Sequence, residues 1–241
     1  MGKFPYRGLY ALYSVNNSLL SLTMDPQINI LEIDSIQLQI RGKSLLSDIY
    51  IQCLTGKITA LLGLNAAGKS SLMKIIMGLL NSESKSIRIN HQSLTDASLA
   101  IQYLPQHYFV PGHLTVARFL KDYKIAEHAL IADFPIFKDQ IQYPVKRLSG
   151  GLRRLAEVYT LIKSPSKFTL LDEPFTHLMP IHKEKIKLLI QQESSKGFLI
   201  TDHLYKDLLD CADRYYLLQN GKTWPVNKLE DLLKYGYLSH I

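Results

Sequence analysis

Eight residues, GLNAAGKS (Gly63–Ser70), constrain this chain more than any others. They follow KITALLG (Lys57–Gly63), a short apolar run of the kind buried on both faces of a mostly parallel sheet. They lead into KSSLMKIIMGLL, where Leu72, Ile75, Ile76, Leu79 and Leu80 fall on one face of a helix. A loop of the form G-x-x-x-x-G-K-[ST] between a strand and a helix is a phosphate cradle. Gly63 and Gly68 let the backbone turn its N–H groups inward, and the small Ala66 and Ala67 leave room. The helix N-terminus adds partial positive charge. Asn65 and Ser71 complete the contact stretch. Lys69 is placed to reach the outer phosphates of a nucleotide, and the Ser70 hydroxyl to ligate Mg²⁺.

A second apolar run, FTLL (Phe168–Leu171), stops at two adjacent acids, Asp172 and Glu173. A surface pair at a strand end would be unremarkable alone. With a cradle 103 residues upstream, counted from Lys69 to Asp172, the pair has work to do. A magnesium triphosphate needs a second metal anchor, and Asp172, at the tip of a neighbouring strand, is the candidate. Glu173, one residue on, is the candidate general base for water.

The rest of the chain alternates strands and helices, which argues for an α/β core with ligands at the carboxyl edge of the sheet. INILEIDSIQLQI and LLSDIYIQCL read as N-terminal strands, SIRIN and LAIQYLP as two more. From about Gln106 to Leu148 the pattern is helical and irregular, punctuated by Pro111, Pro135 and Pro144. GLRRLAEVYTLI continues as a helix with Leu152, Leu155, Tyr159 and Ile162 on one face. A helix over Ile181–Glu193 and the strand GFLIT follow. YYLLQNGKTW is a hairpin turning at Asn220-Gly221, and VNKLEDLLKYGYL a final helix.

With 241 residues, 46% of them hydrophobic, the chain can bury one large core. Cys53 and Cys211 are too few for a disulfide framework or a zinc site, which suits a reducing, cytosolic setting. The net charge of +7 comes without a dense basic block, so a solvated basic surface and an anionic partner remain even alternatives. No run of about 18 apolar residues exists to span a membrane. Lys3 and Arg7 precede GLYALYSV, but Asn16 and Asn17 interrupt that run and no clear cleavage site follows. Residues 1–28 are therefore read as an extension, with Met24 an alternative start.

The order cradle, YLPQ, LSGG, LLDEP, ITDH resembles that of the ATP-binding cassette ATPases, from about Ile30 to Thr223. The resemblance implies an α/β, P-loop NTPase core: a mostly parallel sheet flanked by helices, an N-terminal antiparallel β part and an inserted helical subdomain. It gives one domain over 29–241, with the helical subdomain at about 107–163, binding ATP and Mg²⁺. It implies that Gln106, in YLPQ, touches Mg²⁺ or the attacking water. It implies that Ser149, Gly150 and Gly151, in LSGG, grip the γ-phosphate on a second subunit, and that His203, in ITDH, contacts the γ-phosphate. Leu114–Val116 resembles the segment near which transporter partners dock.

Sandwiching ATP in this way takes two cassettes, so a homodimer or heterodimer with a second such subunit is implied. So is a separate integral membrane transporter subunit, with this chain peripheral at the cytoplasmic face of the inner membrane. No nucleic acid partner is expected: family members acting on ribosomes or DNA generally carry two cassettes or a long coiled coil. A dimeric ATP sensor without useful turnover is the third reading. It is motivated by two departures from the family pattern. Met179 stands where the family commonly has an aspartate that crosses the dimer interface, and Met cannot orient a polar network. No aromatic lies within Ile36–Ser44, where the family stacks adenine; Ile40 or Arg41 falls there instead. Leu152 in place of the usual glutamine after LSGG is explained by the apolar face it begins.

Overall fold

The computed structural model describes residues 28–203 and 205–238, apart from the side chains of Leu99 and Leu229. The N-terminal extension and the Met24 alternative thus fall almost wholly outside the described residues. The strands are β1 (Ile30–Ile40), β2 (Lys43–Leu46), β3 (Tyr50–Leu54), β4 (Ile58–Leu62), β5 (Ser84–Ile89), β6 (Gln92–Ser93), β7 (Ile101–Leu104), β8 (Phe168–Asp172), β9 (Gly197–Thr201), β10 (Arg214–Gln219) and β11 (Lys222–Val226). The helices are α1 (Lys69–Ile76), α2 (Val116–Asp122), α3 (Glu127–Asp133), α4 (Gly150–Lys163), α5 (Pro180–Gln192), α6 (Tyr205–Leu209) and α7 (Leu229–Lys234).

The central sheet has the order β11-β10-β4-β9-β8-β7. All its pairings are parallel except β10 with β11. Every residue of β4, β7, β8 and β9 is buried, which is why these runs are mostly apolar rather than alternating with an exposed polar face. A second, antiparallel sheet is built on β1, which pairs with β2, β3 and β5. The fold is therefore the expected α/β one with an antiparallel N-terminal part. Among the described residues, no helix is long and apolar enough to cross a membrane.

Between β7 and β8 the chain is helical. Edge-to-face rings knit this region: Phe109 with Phe119 at 5.8 Å, Phe119 with Tyr123 at 5.1 Å and Phe134 with Tyr159 at 5.9 Å. Helix α4 is buried at every residue from Arg154 to Ile162. Its C-terminal carbonyls accept from Lys196, whose Nζ donates to Leu161 O at 3.1 Å and Ile162 O at 2.7 Å, and also to Ser164 O. That fastens the entry of β9 to α4 and satisfies groups a helix end leaves unpaired.

Several sequence expectations shift. LLSDIYIQCL is not one strand but β2 and β3. The backbone N–H groups of Ser47 and Asp48 both donate to Gly221 O, so the chain leaves one sheet to bond the β10–β11 hairpin and then returns. That hairpin does turn at Asn220-Gly221, with φ of 53° and 75°. Helix α1 stops at Ile76, because Gly78 adopts φ 69° and its N–H turns back to Ile75 O. Leu79 therefore lies beyond the helix and is exposed. The last helix spans only Leu229–Lys234 and ends ahead of Gly236 at φ 68°.

Gly197 opens β9 where a Cβ would sit 2.6 Å from both Leu54 O and Phe168 Cδ1. Gly197→Ala should cost about 1–3 kcal/mol by overpacking. Gly42, at φ 75° with open space around it, should cost only about 1 kcal/mol through backbone strain on the same change. Urea unfolding checks this; equal losses at the two positions would contradict it.

Candidate active site

The site begins where β4 ends. Gly63 has φ 153°, and a Cβ there would lie 2.6 Å from Leu218 O on β10. Ala66 and Gly68 take positive φ, 62° and 106°, which coils the loop backbone before α1 starts at Lys69. No acidic residue stands in the first turn of α1, so no carboxylate of the helix itself offsets its positive end. Lys69 Nζ donates to Gly63 O at 2.6 Å and Leu64 O at 2.9 Å. Burial lowers its pKa, while the charges of Asp172, Glu173 and Asp202 oppose that.

A cavity of about 580 Å³ opens over this loop. Its wall comprises residues 65–71 of the loop and helix start, with Leu45, Gln106, Glu173 and His203. Residues from five separate parts of the sequence thus converge on one space. Gly63 lies beneath it as support, and Ser149–Gly151 is not among its lining residues. The neighbour expected for β4 was β8; in fact β9 lies between them. With strands about 4.8 Å apart, that sets β8 roughly 10 Å from β4, and α1 closes the gap by bringing the Ser70 hydroxyl beside Asp172.

Asp172 is 1% exposed. Its Oδ2 accepts from the Tyr103 hydroxyl at 3.2 Å. Its buried Oδ1 has no well-formed hydrogen bond among the described residues. Burial pushes the carboxyl up, the Ser70 and Tyr103 hydroxyls pull it down, and the charge of Glu173 raises it again. A buried carboxylate oxygen left open beside a serine hydroxyl is a donor set suited to a hard divalent cation.

Glu173 stands at φ 51°, a left-handed conformation costing about 1–2 kcal/mol for a side chain of this kind. Both its backbone groups are held: its N–H donates to Thr201 O at 2.8 Å, and its carbonyl accepts from Arg154 Nη2 at 2.9 Å. The side chain accepts weakly from Thr176 Oγ1 at 3.4 Å, and His203 Nδ1 lies 3.6 Å from Glu173 Oε2 and 3.4 Å from Asp202 Oδ1. The acid, the histidine and the cradle thus form one polar wall.

The LSGG loop lies outside that wall and is dictated by its own packing. Ser149 caps α4, its Oγ accepting from Leu152 N at 3.3 Å. A Cβ on Gly150 would meet the Tyr108 hydroxyl at 2.6 Å, and one on Gly151 the His177 carbonyl oxygen at 2.7 Å. Met179 occupies the N-cap of α5 without a side-chain cap and is 60% exposed. Neither Ile40 nor Arg41 lines the cavity; the apolar wall is Leu45, which sequence reasoning missed. The leucine pair at 45–46 carries no signal of its own, and only the packing of both against Gly68 reveals it.

A family model described as ABC transporter matches residues 46–176, more than half of the chain. The chain belongs to that family. Curated relatives agree. The lipopolysaccharide export system ATP-binding protein LptB of Haemophilus influenzae is 30% identical over 217 residues, 81% of this chain and 89% of that protein. LptB of Escherichia coli K12 is 30% identical over 203 residues, 75% and 83% of the two chains. A solved structure titled "ATP binding subunit of ABC transporter" superposes with a TM-score of 0.75 at 22% identity, covering 88% of this chain and 95% of that one, a likeness of fold. The protein is an ABC transporter ATP-binding subunit, and so an ATPase.

Leu45→Asp places a carboxylate in the cavity wall. It should weaken binding of a fluorescent ATP analogue more than about tenfold through charge repulsion with the triphosphate, while Leu45→Met stays near the parent. Equal affinities in all three proteins would remove Leu45 from the site.

Proposed function

We propose that this ABC ATPase is a motor subunit that dimerises around ATP and drives a separate membrane-spanning partner. The observation that carries the reading is the division of the site. Cradle, Gln106, Glu173 and His203 share one cavity, while Ser149–Gly151 is outside it. An exposed serine at a helix N-cap, followed by two glycines, can grip an anion only if another molecule supplies it. A second cassette would present that anion as the γ-phosphate of its own ATP.

Ser70, Asp172 and Gln106 would hold Mg²⁺. When bound, the metal supplies charge neutralisation for the outer phosphates. Lys69 and the loop N–H groups hold those phosphates. Glu173, fixed at backbone level, takes the proton of the attacking water. His203 steadies the γ-phosphate from the side facing Glu173. The helical region at about 107–163 is the lobe through which closure reaches the partner, at the cytoplasmic face of the inner membrane. Met179 favours a second reading, an ATP-sensing dimer with little turnover, since the N-cap of α5 has no side-chain cap there.

Glu173→Gln separates the two. The motor reading expects turnover of magnesium ATP to fall by roughly 10² or more, with an ATP-bound dimer accumulating on size exclusion. Unchanged turnover, or a monomer at saturating ATP in both proteins, contradicts it.

A further inference from the structure

Arg154 lies five residues beyond the signature serine, on α4, and is 1% exposed. A buried guanidinium must have its N–H groups engaged. Here Nη1 donates to Pro105 O at 2.7 Å, and Nη2 donates to Asp172 O at 2.7 Å and Glu173 O at 2.9 Å. These three carbonyls belong to two segments: the start of the loop carrying Gln106 and the tip of β8 carrying both acids. Glu157 Oε2, 3.8 Å from Nη1, supplies a counter-charge.

We infer that Arg154 is a positioning residue for ATP hydrolysis: its planar fork clamps the strained backbone of Glu173 and the root of the Gln106 loop in one register. Glu173 is the residue that most needs such a clamp, because its left-handed φ persists only where the surroundings over-determine it. The Thr201 carbonyl holds its N–H; Arg154 holds its carbonyl. Without that hold the backbone relaxes and the carboxylate swings away from the water it must deprotonate. The Gln106 side chain loses its fixed base at the same time. Lysine has a single nitrogen and cannot span the same carbonyls in a plane. The cradle does not touch Arg154, so nucleotide binding is spared. The proposal rests on the role of Glu173 as base.

The test is a cycle of Arg154→Lys, Arg154→Gln, Glu173→Gln and the double variants in the full chain. kcat, affinity for a fluorescent ATP analogue and thermal midpoint are read for each. The expected result is a fall in kcat of at least about tenfold for either Arg154 variant, with ATP affinity within about twofold of the parent. On the residual rate of Glu173→Gln, Arg154→Lys should add less than about a further twofold, since the two act as a unit. A purely structural arginine would instead lower the midpoint and slow both backgrounds equally. That result overturns the proposal, as do full kcat in Arg154→Lys with Glu173→Gln inactive, and failure of both Arg154 variants to fold. If Glu173→Gln itself turns over like the parent, the base assignment fails, and this proposal with it.

Discussion

A phosphate can be cradled by backbone N–H groups only if the chain reverses direction while exposing them, and that reversal at the end of β4 organises the molecule. It requires positive φ at Ala66 and Gly68, and such backbone holds its shape only against rigid surroundings. The surroundings are supplied by β4, buried at every position, by Leu218 O pressed against Gly63, and by Leu45 and Leu46 against Gly68. The cost of the loop is thus met by packing on both sheets. From it α1 rises at a fixed angle, which carries Ser70 to Asp172 across the intervening β9.

The second constraint is burial of charge. Lys69, Asp172, Asp202 and Arg154 are all at most 9% exposed. Such groups are tolerated only when paired or hydrogen-bonded. Arg154 meets carbonyls and Glu157, Lys69 meets loop carbonyls, and Asp202 accepts from Phe175 N at 3.3 Å. Asp172 Oδ1 stands apart from this economy, and the proposed metal site is built on it. The same low-dielectric setting that makes these groups costly makes their effect on a triphosphate strong.

Much of this was legible in the sequence because the chemistry is written in contiguous residues. The cradle needs its strand, loop and helix in immediate succession, so Gly63–Ser70 read directly. The acids were legible as neighbours of that loop, because an apolar strand that ends in Asp172 and Glu173 brings them to the sheet edge where Glu173 lines the cavity and Asp172 meets the Ser70 hydroxyl. What failed to read was non-local. Strand order in a parallel sheet is set by crossovers far apart in sequence, so β9 between β4 and β8 left no local trace. Leu45 lines the cavity from a bulge in the β1–β2 pairing, where the register passes from Leu38–Leu46 to Gln39–Ser44, while Ile40 and Arg41, at the expected spacing, lie elsewhere. Nothing in GLRRLAEVYTLI singles out Arg154. The burial of Arg154 follows from where Pro105 and the β8 carbonyls come to lie. Leu79 fits the helical period but falls after Gly78, whose left-handed turn overrides it.

The central claim is that each ATP is enclosed by the cradle of one chain and the signature of another. Complementation tests it most directly. Lys69→Met disables a cradle and leaves the signature intact, while Ser149→Arg blocks a signature and leaves the cradle intact. Each protein alone should be inactive. Mixed, they form a dimer in which one complete site survives, so magnesium ATP turnover should return in the mixture. A mixture that forms heterodimers yet stays as inactive as its components would contradict the account.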